Sequence, residues 1–225
     1  MTSKEALRTA VVAGATGLVG TELVDRLQRD ARFRRVVALS RRAGAGQGKV
    51  EFVHADYEQL EQSLRAVTAE DRPVDVFCCL GTTISRAGSE AAFRRVDHDY
   101  VLALGRWAKR VRAHRMIVIS AVGADPASRV FYNRVKGETE RDLAALGLAS
   151  LVIVRPSLLA GDRKEFRLGE RLALVATKPL RALIPIGVRP IAASDVARAM
   201  LDAALAEDPP RIIDSAAMQG ADARS

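Results

Sequence analysis

The chain has 225 residues, 48% of them apolar, which suits one folded domain and excludes a disordered chain. It has neither a run of about 18 apolar residues nor an apolar segment before a cleavage site, so we expect no membrane insertion and a cytosolic location. The net charge of +8 allows either a polyanionic partner, nucleic acid included, or a pocket for a phosphorylated cofactor.

Apolar runs of strand length alternate with longer amphipathic stretches, in the order of repeated strand-helix units. The predicted strands cover residues 8–13, 34–39, 50–54, 74–80, 115–120 and 150–155, with bounds uncertain by about 2–4 residues. Two of the runs, TAVVAGA and DVFCCL, are apolar on both faces, as a parallel sheet covered by helices on both sides requires. The pattern predicts an α/β doubly wound parallel sheet within a single domain of residues 1–225.

A glycine-rich turn follows the first strand, in the stretch VVAGATGLVG. Gly14 would permit a tight bend, Gly17 would let a pyrophosphate approach the main chain, and Gly20 would let the next helix pack closely on the strand. That helix, predicted over residues 17–29, offers unpaired N–H groups to phosphates. A plain turn between packed elements is the alternative, but the position between strand and helix favours dinucleotide binding. The candidate cofactor contacts here are Gly14, Thr16, Gly17, Leu18 and Val19.

The second predicted strand ends in VVALSRR, where an NAD site usually carries Asp or Glu. Ser40, Arg41 and Arg42 stand there instead. Guanidinium groups suit the extra 2′-phosphate of NADP(H), because they bind phosphate oxygens in a bidentate, charge-assisted way. The alternative is a solvated basic loop. After the third strand, Asp56 is a candidate acceptor for the adenine amino group, or a cap of the helix that begins YEQL.

The fourth predicted strand ends in CLGTT, a second candidate contact for the cofactor. Gly81 lets the main chain pass close to a ribose or to the nicotinamide side of the cofactor. Thr82 and Thr83 either donate hydrogen bonds there or end the strand. With Leu80, these residues complete the cofactor-binding set predicted at this strand.

The cysteines and histidines show no metal-ligand spacing. Cys78 and Cys79 are adjacent in an apolar run, where neighbouring strand side chains point to opposite faces and do not normally bridge. We expect both to be core residues. His54, His98 and His114 are scattered along the chain, and no structural metal is expected.

The fifth predicted strand ends at Ser120, and the following helix carries FYNRVKGETE. Tyr132 and Lys136 share one face of that helix, about 6 Å apart along its axis. A phenol is a poor acid-base group near neutrality, but a nearby ammonium stabilises the phenolate, and a serine hydroxyl opposite could hydrogen-bond the substrate oxygen. Surface snorkelling is the alternative for such a pair. The order of residues favours Ser120, Tyr132 and Lys136 as a catalytic set, in which Tyr132 and Lys136 also contact the cofactor.

After Pro156 the alternation of strands and helices weakens. The segment 161–188 mixes charges, glycines and prolines. It is predicted to be a small helical excursion that covers the substrate, because ligands of open α/β sheets collect at the carboxyl ends of the strands. A helix capped by Ser194 and a short strand over residues 211–214 complete the predicted fold.

Several of these stretches resemble a known family. GATGLVG, the serine followed by YNRVK, and VIVRPSLL are similar to the short-chain dehydrogenase/reductase superfamily, with the glycine spacing of its extended and atypical branches. CLGTT, RVDHDYVLALGRWAK and YNRVKGETE resemble more closely the Tat-interacting oxidoreductase-like proteins, an atypical subgroup that binds NADPH. The resemblance implies an NAD(P)-binding Rossmann fold and the catalytic set Ser120, Tyr132 and Lys136. It also implies that Pro156 and Ser157 lie near the nicotinamide.

Two features depart from that family. Extended members keep a large carboxy-terminal substrate domain, whereas only the stretch after Pro156 is available here. Many catalytic members also carry an asparagine on the helix before the fifth strand, and Asp97 and His98 occupy the nearest matching segment. The proton relay to bulk water therefore lacks its usual residue.

Three functions are compatible with these features. The favoured one is an NADP(H)-dependent oxidoreductase that transfers hydride between the nicotinamide and a small carbonyl or alcohol substrate, with Tyr132 as general acid or base. An NADPH-binding regulatory or scaffold protein with little turnover is the alternative. A nucleic-acid partner is not expected, because the cations of GRWAKRVRAHR better fit the solvated face and end of a helix; they are Arg106, Lys109, Arg110, Arg112 and Arg115. A monomer and a homodimer paired through the helix of Trp107 or that of Tyr132 both remain open.

Overall fold

A computed structural model describes residues 7–41, 44, 46–65, 71, 73–160 and 186–219 of the chain. The strands are β1 (Arg8–Ala13), β2 (Phe33–Ser40), β3 (Val50–His54), β4 (Val74–Cys78), β5 (Arg115–Ile119), β6 (Leu151–Arg155), β7 (Leu159–Ala160), β8 (Ile191–Ala192) and β9 (Ile212–Asp214). The α-helices are α1 (Leu18–Arg29), α2 (Leu60–Ser63), α3 (Ile84–Ala87), α4 (Glu90–Arg94), α5 (Tyr100–Arg110), α6 (Phe131–Ala145), α7 (Ala193–Leu205) and α8 (Ser215–Gln219). A π-helical turn (Arg95–Asp99) joins α4 to α5, and short 3₁₀ turns cover Tyr57–Gln59 and Ile186–Val188.

Seven strands form one parallel sheet in the order β3-β2-β1-β4-β5-β6-β9. The strand order reverses between β1 and β4, the point at which the carboxyl ends of the strands leave a crevice for a ligand. All six of the longer predicted strands are present, which confirms the α/β doubly wound fold. The two-residue strands β7 and β8 pair in a separate parallel ladder, which the sequence does not predict because two residues carry no periodicity.

The side chains of the sheet alternate between two cores. In β1, Ala10 and Val12 join one core together with α1 and α7, whereas Val11 and Ala13 join the other core with α5 and α6. Leu23 of α1 is fully buried, which contributes about 1.5–3 kcal/mol relative to leaving such a side chain exposed. The apolar side of α1 therefore faces the sheet.

The adjacent cysteines separate between these two cores, as predicted. Cys78 lies in the core beneath α5 and α6, Cys79 packs against the core beneath α1 and α7, and both are free thiols. Burial raises the pKa of the Cys78 thiol to about 12 and the pKa of Cys79 well above its ordinary value. Both cysteines are therefore apolar core groups rather than nucleophiles.

Glycines determine how closely α6 approaches its neighbours. A Cβ at Gly137 would lie 2.2 Å from the main-chain nitrogen of Pro126, so α6 presses against the loop that follows β5. A Cβ at Gly105 would lie 2.7 Å from a methyl group of Leu143, so α5 and α6 also pack closely. Trp107 of α5 is buried in the core on this side of the sheet.

Two buried polar groups lie at the amino edge of the sheet. Asp75 is fully buried and accepts a hydrogen bond from Arg8 Nε at 2.6 Å. Arg115 is also buried, and its Nη1 donates to the carbonyl oxygens of Ala204 at 3.1 Å and Ala206 at 2.9 Å, at the end of α7. The prediction that Arg115 belongs to a solvated basic face is therefore wrong. The other cations of that stretch are exposed: Arg106 on the face of α5, and Lys109, Arg110 and Arg112 at or just after its end, where they suit the helix dipole.

Three further predictions concern the last third of the chain. Helix α7 begins at Ala193 with no side-chain cap, so the predicted cap by Ser194 is wrong: the pairing of Ala192 in β8 already fixes where the helix starts. The short last strand is present as β9. Residues 161–185 of the predicted substrate cover lie outside the described residues. Among the helices that are described, none is long and apolar enough to cross a membrane.

Candidate active site

The candidate site lies at the carboxyl edge of the sheet, and the glycine turn after β1 forms part of it. Gly14 has φ +76°, and a Cβ there would lie 2.5 Å from the carbonyl oxygen of Cys79. A Cβ at Gly20 would lie 2.1 Å from the carbonyl oxygen of Gly14, so α1 sits directly on the turn. Both positions require glycine, one for the bend and the other for the close approach of the helix.

The middle glycine of the turn is less crowded than the other two. Gly17 is the N-cap residue of α1, and no side chain caps that end of the helix. The nearest atom to a Cβ at Gly17 would be the carbonyl oxygen of Gly14, at 3.3 Å. Thr16 is exposed and Leu18 is half-buried, whereas Val19 is buried in the core and would contact a phosphate only through its main chain. The uncapped first turn suits an anion.

The end of β2 lies at the same edge of the sheet. Ser40 is buried at the last position of the strand, and Arg41 is exposed directly after it. Arg42 lies outside the described residues. Asp56 accepts a hydrogen bond at 2.9 Å from the N–H of Glu58, so it caps the turn that follows β3, which is the second of the two roles considered for it.

Tyr57, which the sequence does not single out, lies beside the glycine turn. Tyr57 stacks on Tyr100, with ring centroids 5.2 Å apart. Burial raises the pKa of Tyr57, while a main-chain hydrogen bond from Gly14 and the charge of Arg41 act in the opposite direction. Tyr57 therefore lies near both Gly14 and Arg41. In the stretch HADY, the sequence singles out Asp56, and no sequence pattern indicates the role of Tyr57.

Ser120 follows β5 directly and is 6% exposed. Within the part of the chain that the structure describes, its Oγ has no hydrogen-bond partner. A buried hydroxyl without a partner costs about 1–3 kcal/mol, and such a group usually has a ligand or a water to complete it. The Ser120 hydroxyl therefore has the properties of a ligand-binding group.

Tyr132 and Lys136 lie in the first two turns of α6. Tyr132 is half-buried, and its ring centroid is 5.5 Å from that of Phe93. Lys136 is 4% exposed, and its Nζ lies 2.7 Å from Asp97 Oδ1. Burial by itself would lower the pKa of Lys136, but the negative charge of Asp97 and the interaction with Tyr132 outweigh burial and raise it. Lys136 is therefore a buried ammonium ion.

The partner of Lys136 is the residue of this site that the sequence indicates least clearly. Asp97 is 1% exposed and lies in the π-helical turn between α4 and α5, a type of turn that is frequent at functional sites. Its Oδ2 accepts from the N–H of Thr82 at 2.9 Å, and its carbonyl oxygen accepts from Thr139 Oγ1 at 3.0 Å. The only signal in the sequence is its place in the segment where family members carry asparagine.

The loop of residues 80–83 leads from β4 towards α3. Gly81 and Thr83 are exposed, whereas Leu80 and Thr82 are half-buried. Thr83 Oγ1 accepts from the N–H of Arg86 at 3.1 Å, so Thr83 caps α3. A Cβ at Gly81 would make only ordinary contacts, so packing alone does not require glycine at this position.

Pro156 and Ser157 tie the end of β6 to its surroundings. Pro156 is buried, and its carbonyl oxygen accepts from the N–H of Val122 at 3.1 Å. Ser157 Oγ donates to the carbonyl oxygen of Arg189 and accepts from Ser215 Oγ at 3.0 Å. The loop after β5 and the segment after residue 186 are therefore both anchored at the end of β6.

A separate cavity of about 580 Å³ opens at the opposite edge of the sheet, with His114, Ser150 and Asp208 in its wall. None of the predicted site residues lines it. Ligands of open α/β sheets bind outside the carboxyl ends of the strands, and this cavity lies at the amino ends. We therefore assign the candidate site to the edge that carries the glycine turn.

A parallel sheet of this order, with a glycine turn at its reversal point and a Ser, Tyr and Lys set beyond it, defines an NAD(P)-binding fold of the short-chain dehydrogenase/reductase type. The chain belongs to the family described as NAD(P)H-binding, which matches residues 14–209. One relative, protein FMP52, mitochondrial, of Eremothecium gossypii, is 37% identical over 162 residues, which are 71% of this chain and 70% of that protein. Another, protein HTATIP2 of Rattus norvegicus, is 34% identical over 170 residues, which are 74% of this chain and 69% of that protein.

A solved structure supports the fold assignment. A short chain dehydrogenase from Burkholderia cenocepacia J2315, in complex with NADP, superposes with a TM-score of 0.64 at 18% identity, over 99% of this chain and 95% of that one. At this identity the likeness shows the fold alone. Together with the similarity to HTATIP2, it confirms that the chain is an atypical short-chain dehydrogenase/reductase of the HTATIP2-like group.

The comparison with FMP52 also shows that the expectation of a cytosolic location is wrong, since that relative is named mitochondrial. That expectation used the lack of an apolar segment with a cleavage site. Such a segment marks secretion, whereas mitochondrial targeting segments are amphipathic and rich in arginine. The criterion therefore does not distinguish cytosol from mitochondrion.

Proposed function

We propose that this protein is an NADP(H)-dependent oxidoreductase, which transfers hydride between the nicotinamide and a small carbonyl or alcohol substrate. The observation that carries the proposal is the buried Ser120 hydroxyl, which has no partner among the described residues and lies at the carboxyl edge of the sheet. Lys136, a buried cation, follows on the next helix. A hydrogen-bond donor and a cation at one edge suit an oxygen that gains or loses a proton.

The residues present fit a nicotinamide dinucleotide. The turn around Gly17 leaves room at the uncapped amino terminus of α1, where a pyrophosphate could approach the N–H groups. The loop of residues 80–83 and the pair Pro156 and Ser157 would flank the nicotinamide end. When bound, the cofactor supplies or accepts the hydride.

Tyr132 would move the proton of the reaction. In carbonyl reduction its hydroxyl proton passes to the substrate oxygen, and in alcohol oxidation its phenolate takes that proton back. Ser120 Oγ would donate a hydrogen bond to the same oxygen. The ammonium of Lys136 would stabilise the phenolate.

Turnover with a panel of substrates tests this function. We expect NADPH oxidation, followed by its absorbance, with at least one class among aldehydes, ketones and quinones. Ser120→Ala is expected to lower that turnover by about 10²–10³-fold, because it removes a donor aimed at the reacting oxygen. A panel without any turnover, or an unchanged rate in Ser120→Ala, would contradict the proposal.

A second candidate is an NADPH-binding regulatory or scaffold protein with little chemistry. The ion pair of Lys136 favours it, because a carboxylate at 2.7 Å offsets part of the field that the ammonium would exert on Tyr132. Under this candidate NADPH binds with ordinary affinity and no member of the panel turns over.

The coenzyme preference forms a prediction of its own. Wild type is expected to bind NADPH about ten- to hundredfold more tightly than NADH, because a hydrogen bond to a charged group contributes about 1.5–3 kcal/mol. The exposure of Arg41 favours the lower figure. The double change Arg41→Ala, Arg42→Ala should weaken NADPH binding much more than NADH binding, as measured by fluorescence titration of both cofactors.

The contact of these arginines with the 2′-phosphate is ionic, so added salt should reduce the preference for NADPH. Equal losses for the two cofactors in the double variant would mean that the arginines only support the fold. Tighter binding of NADH by wild type would overturn the assignment.

Two predictions about the surroundings of the site still await a test. Residues 161–188 are proposed to cover the substrate, and a ligand-bound structure with substrate at the opposite edge of the sheet would contradict this. The protein is proposed to act as a monomer or a homodimer on a small-molecule substrate, and sedimentation equilibrium would distinguish the two states.

A further inference from the structure

The carboxylate of Asp97 contacts two elements of the candidate site at once. Its Oδ1 lies 2.7 Å from Lys136 Nζ on α6, and its Oδ2 accepts from the N–H of Thr82 at 2.9 Å in the loop after β4. Asp97 is 1% exposed, so both contacts are shielded from water. One side chain therefore connects the candidate catalytic lysine with the loop that would flank the nicotinamide.

The π-helical turn is fixed in a way that sets the position of this carboxylate. Thr139 Oγ1 of α6 donates to the carbonyl oxygen of Asp97 at 3.0 Å. His98, the next residue of the turn, lies with its Nε2 3.0 Å from Asp142 Oδ2, also on α6. The turn is thus held on α6 at two positions, both within the two turns of the helix that follow Lys136. A surface ion pair would not need hydrogen bonds that fix the main chain of its carboxylate in this way.

The charge of Lys136 depends on what surrounds it. Burial favours the neutral amine of a lysine. The groups that interact electrostatically with Lys136 are Asp97 on the π turn, Tyr132 on its own helix and Cys78 on β4. Asp97 makes the largest favourable contribution of the three, and it alone is an ion-pair partner of Lys136 among the described residues.

We propose that Asp97 is a positioning residue of the site, which keeps Lys136 charged in its buried place and joins that charge to the loop of residues 80–83. The ammonium and the loop then present one fixed surface to the nicotinamide end of the cofactor. This inference rests on the proposed cofactor site, but it holds whether or not the protein turns over a substrate.

Asp97→Asn tests the proposal, because asparagine keeps an oxygen for the Thr82 N–H and removes the charge. In protein labelled with ¹³C-lysine, the Lys136 signal is assigned by its absence in Lys136→Arg. We expect the pKa of Lys136 to fall by at least about one unit in Asp97→Asn. NADPH affinity, measured by fluorescence, is expected to fall about tenfold, the loss of one charge-assisted contact. Asp97→Glu, which restores the charge, should recover much of both.

Asp75→Asn is the matched control, since it makes the same replacement at a fully buried aspartate whose partner, Arg8, lies at the opposite edge of the sheet. It is expected to lower the thermal midpoint of unfolding, as Asp97→Asn does, and to leave the titration of Lys136 and the affinity for NADPH unchanged. A purely structural Asp97 would make the two variants indistinguishable in all three measurements, which would overturn the proposal.

A second variant keeps the test possible if Asp97→Asn is too unstable to fold. If Asp97→Asn does not fold, Asp97→Asn with Lys136→Met buries no unpaired charge and is expected to fold and to bind NADPH weakly. A double variant that binds NADPH as wild type does would overturn the proposal, as would an unchanged Lys136 titration in the folded single variant. A wild-type protein without turnover would contradict only the oxidoreductase function, because none of these measurements uses turnover.

Discussion

Replacing Tyr132 by Phe is expected to lower turnover by about 10²–10⁴-fold and to change NADPH affinity by less than about twofold. The phenol oxygen would carry the proton, whereas the ring, 5.5 Å from that of Phe93, keeps its shape and its packing. Single-turnover oxidation of NADPH measures the first quantity, and fluorescence titration of NADPH measures the second. The thermal midpoint of unfolding should stay close to that of wild type.

Lys136→Ala provides the contrast to this result. It is expected to reduce both turnover and NADPH affinity, because the ammonium would stabilise the phenolate and also hold the nicotinamide ribose. It leaves Asp97 buried without its partner, a change that costs about 3–5 kcal/mol, so its stability must be measured alongside. A Tyr132→Phe protein with an unchanged rate would eliminate Tyr132 as the proton donor, whatever Lys136→Ala does.

The sequence predicts the parts of this site that neighbouring residues determine. Gly14 and Gly20 are identified by their place between an apolar run and an amphipathic one, and their steric roles hold in the structure. Tyr132 and Lys136 are placed on one helix by their spacing. Ser120 follows from the end of an apolar strand, although β5 ends one residue earlier. Each of these predictions depends on a pattern within one strand, turn or helix.

The ion pair of Asp97 and Lys136 could not be predicted in this way. The two residues belong to different elements, and their contact depends on how closely α6 and the π turn approach each other. The π turn itself adds a residue to a helical repeat, which an apolar periodicity of about 3.6 does not reveal. The family resemblance pointed to the segment of Asp97 and His98, but to a missing asparagine rather than to a partner for lysine.

The burial of a charged residue is a second feature that could not be predicted from the sequence. Arg115 stands in a run of cations, and the sequence predicts the same exposed position for all of them, yet Arg115 is buried and donates to carbonyl oxygens at the end of α7. An arginine on a strand and an arginine on a helix face look alike in a count of charges. The end of α7 accepts the hydrogen bonds of this guanidinium and so explains its burial, but α7 lies about 90 residues further along the chain.

The glycine turn separates binding from folding more sharply than any other part of the site. Gly17→Ala is expected to lower the free energy of unfolding by no more than about 1 kcal/mol, because the new Cβ would crowd one atom, the carbonyl oxygen of Gly14 at 3.3 Å, which must move only slightly. The same methyl group would stand where the pyrophosphate approaches the main chain. NADPH affinity should therefore fall about ten- to hundredfold, the loss of one or more charge-assisted hydrogen bonds, as measured by fluorescence titration.

Gly20→Ala makes the identical substitution one helical turn later and should give the opposite result. Its Cβ would lie 2.1 Å from the carbonyl oxygen of Gly14 and 2.9 Å from the Cα of Ala15, both main-chain atoms that cannot move aside cheaply. We expect the free energy of unfolding to fall by about 1–3 kcal/mol or more, measured by urea denaturation, because α1 must shift away from the turn. Any loss of NADPH affinity should then come from displacement of the turn, and not from a clash between the new methyl group and the cofactor. If Gly17→Ala bound NADPH as wild type does while Gly20→Ala was destabilised, the turn would be a packing device alone, and the cofactor would have to bind elsewhere.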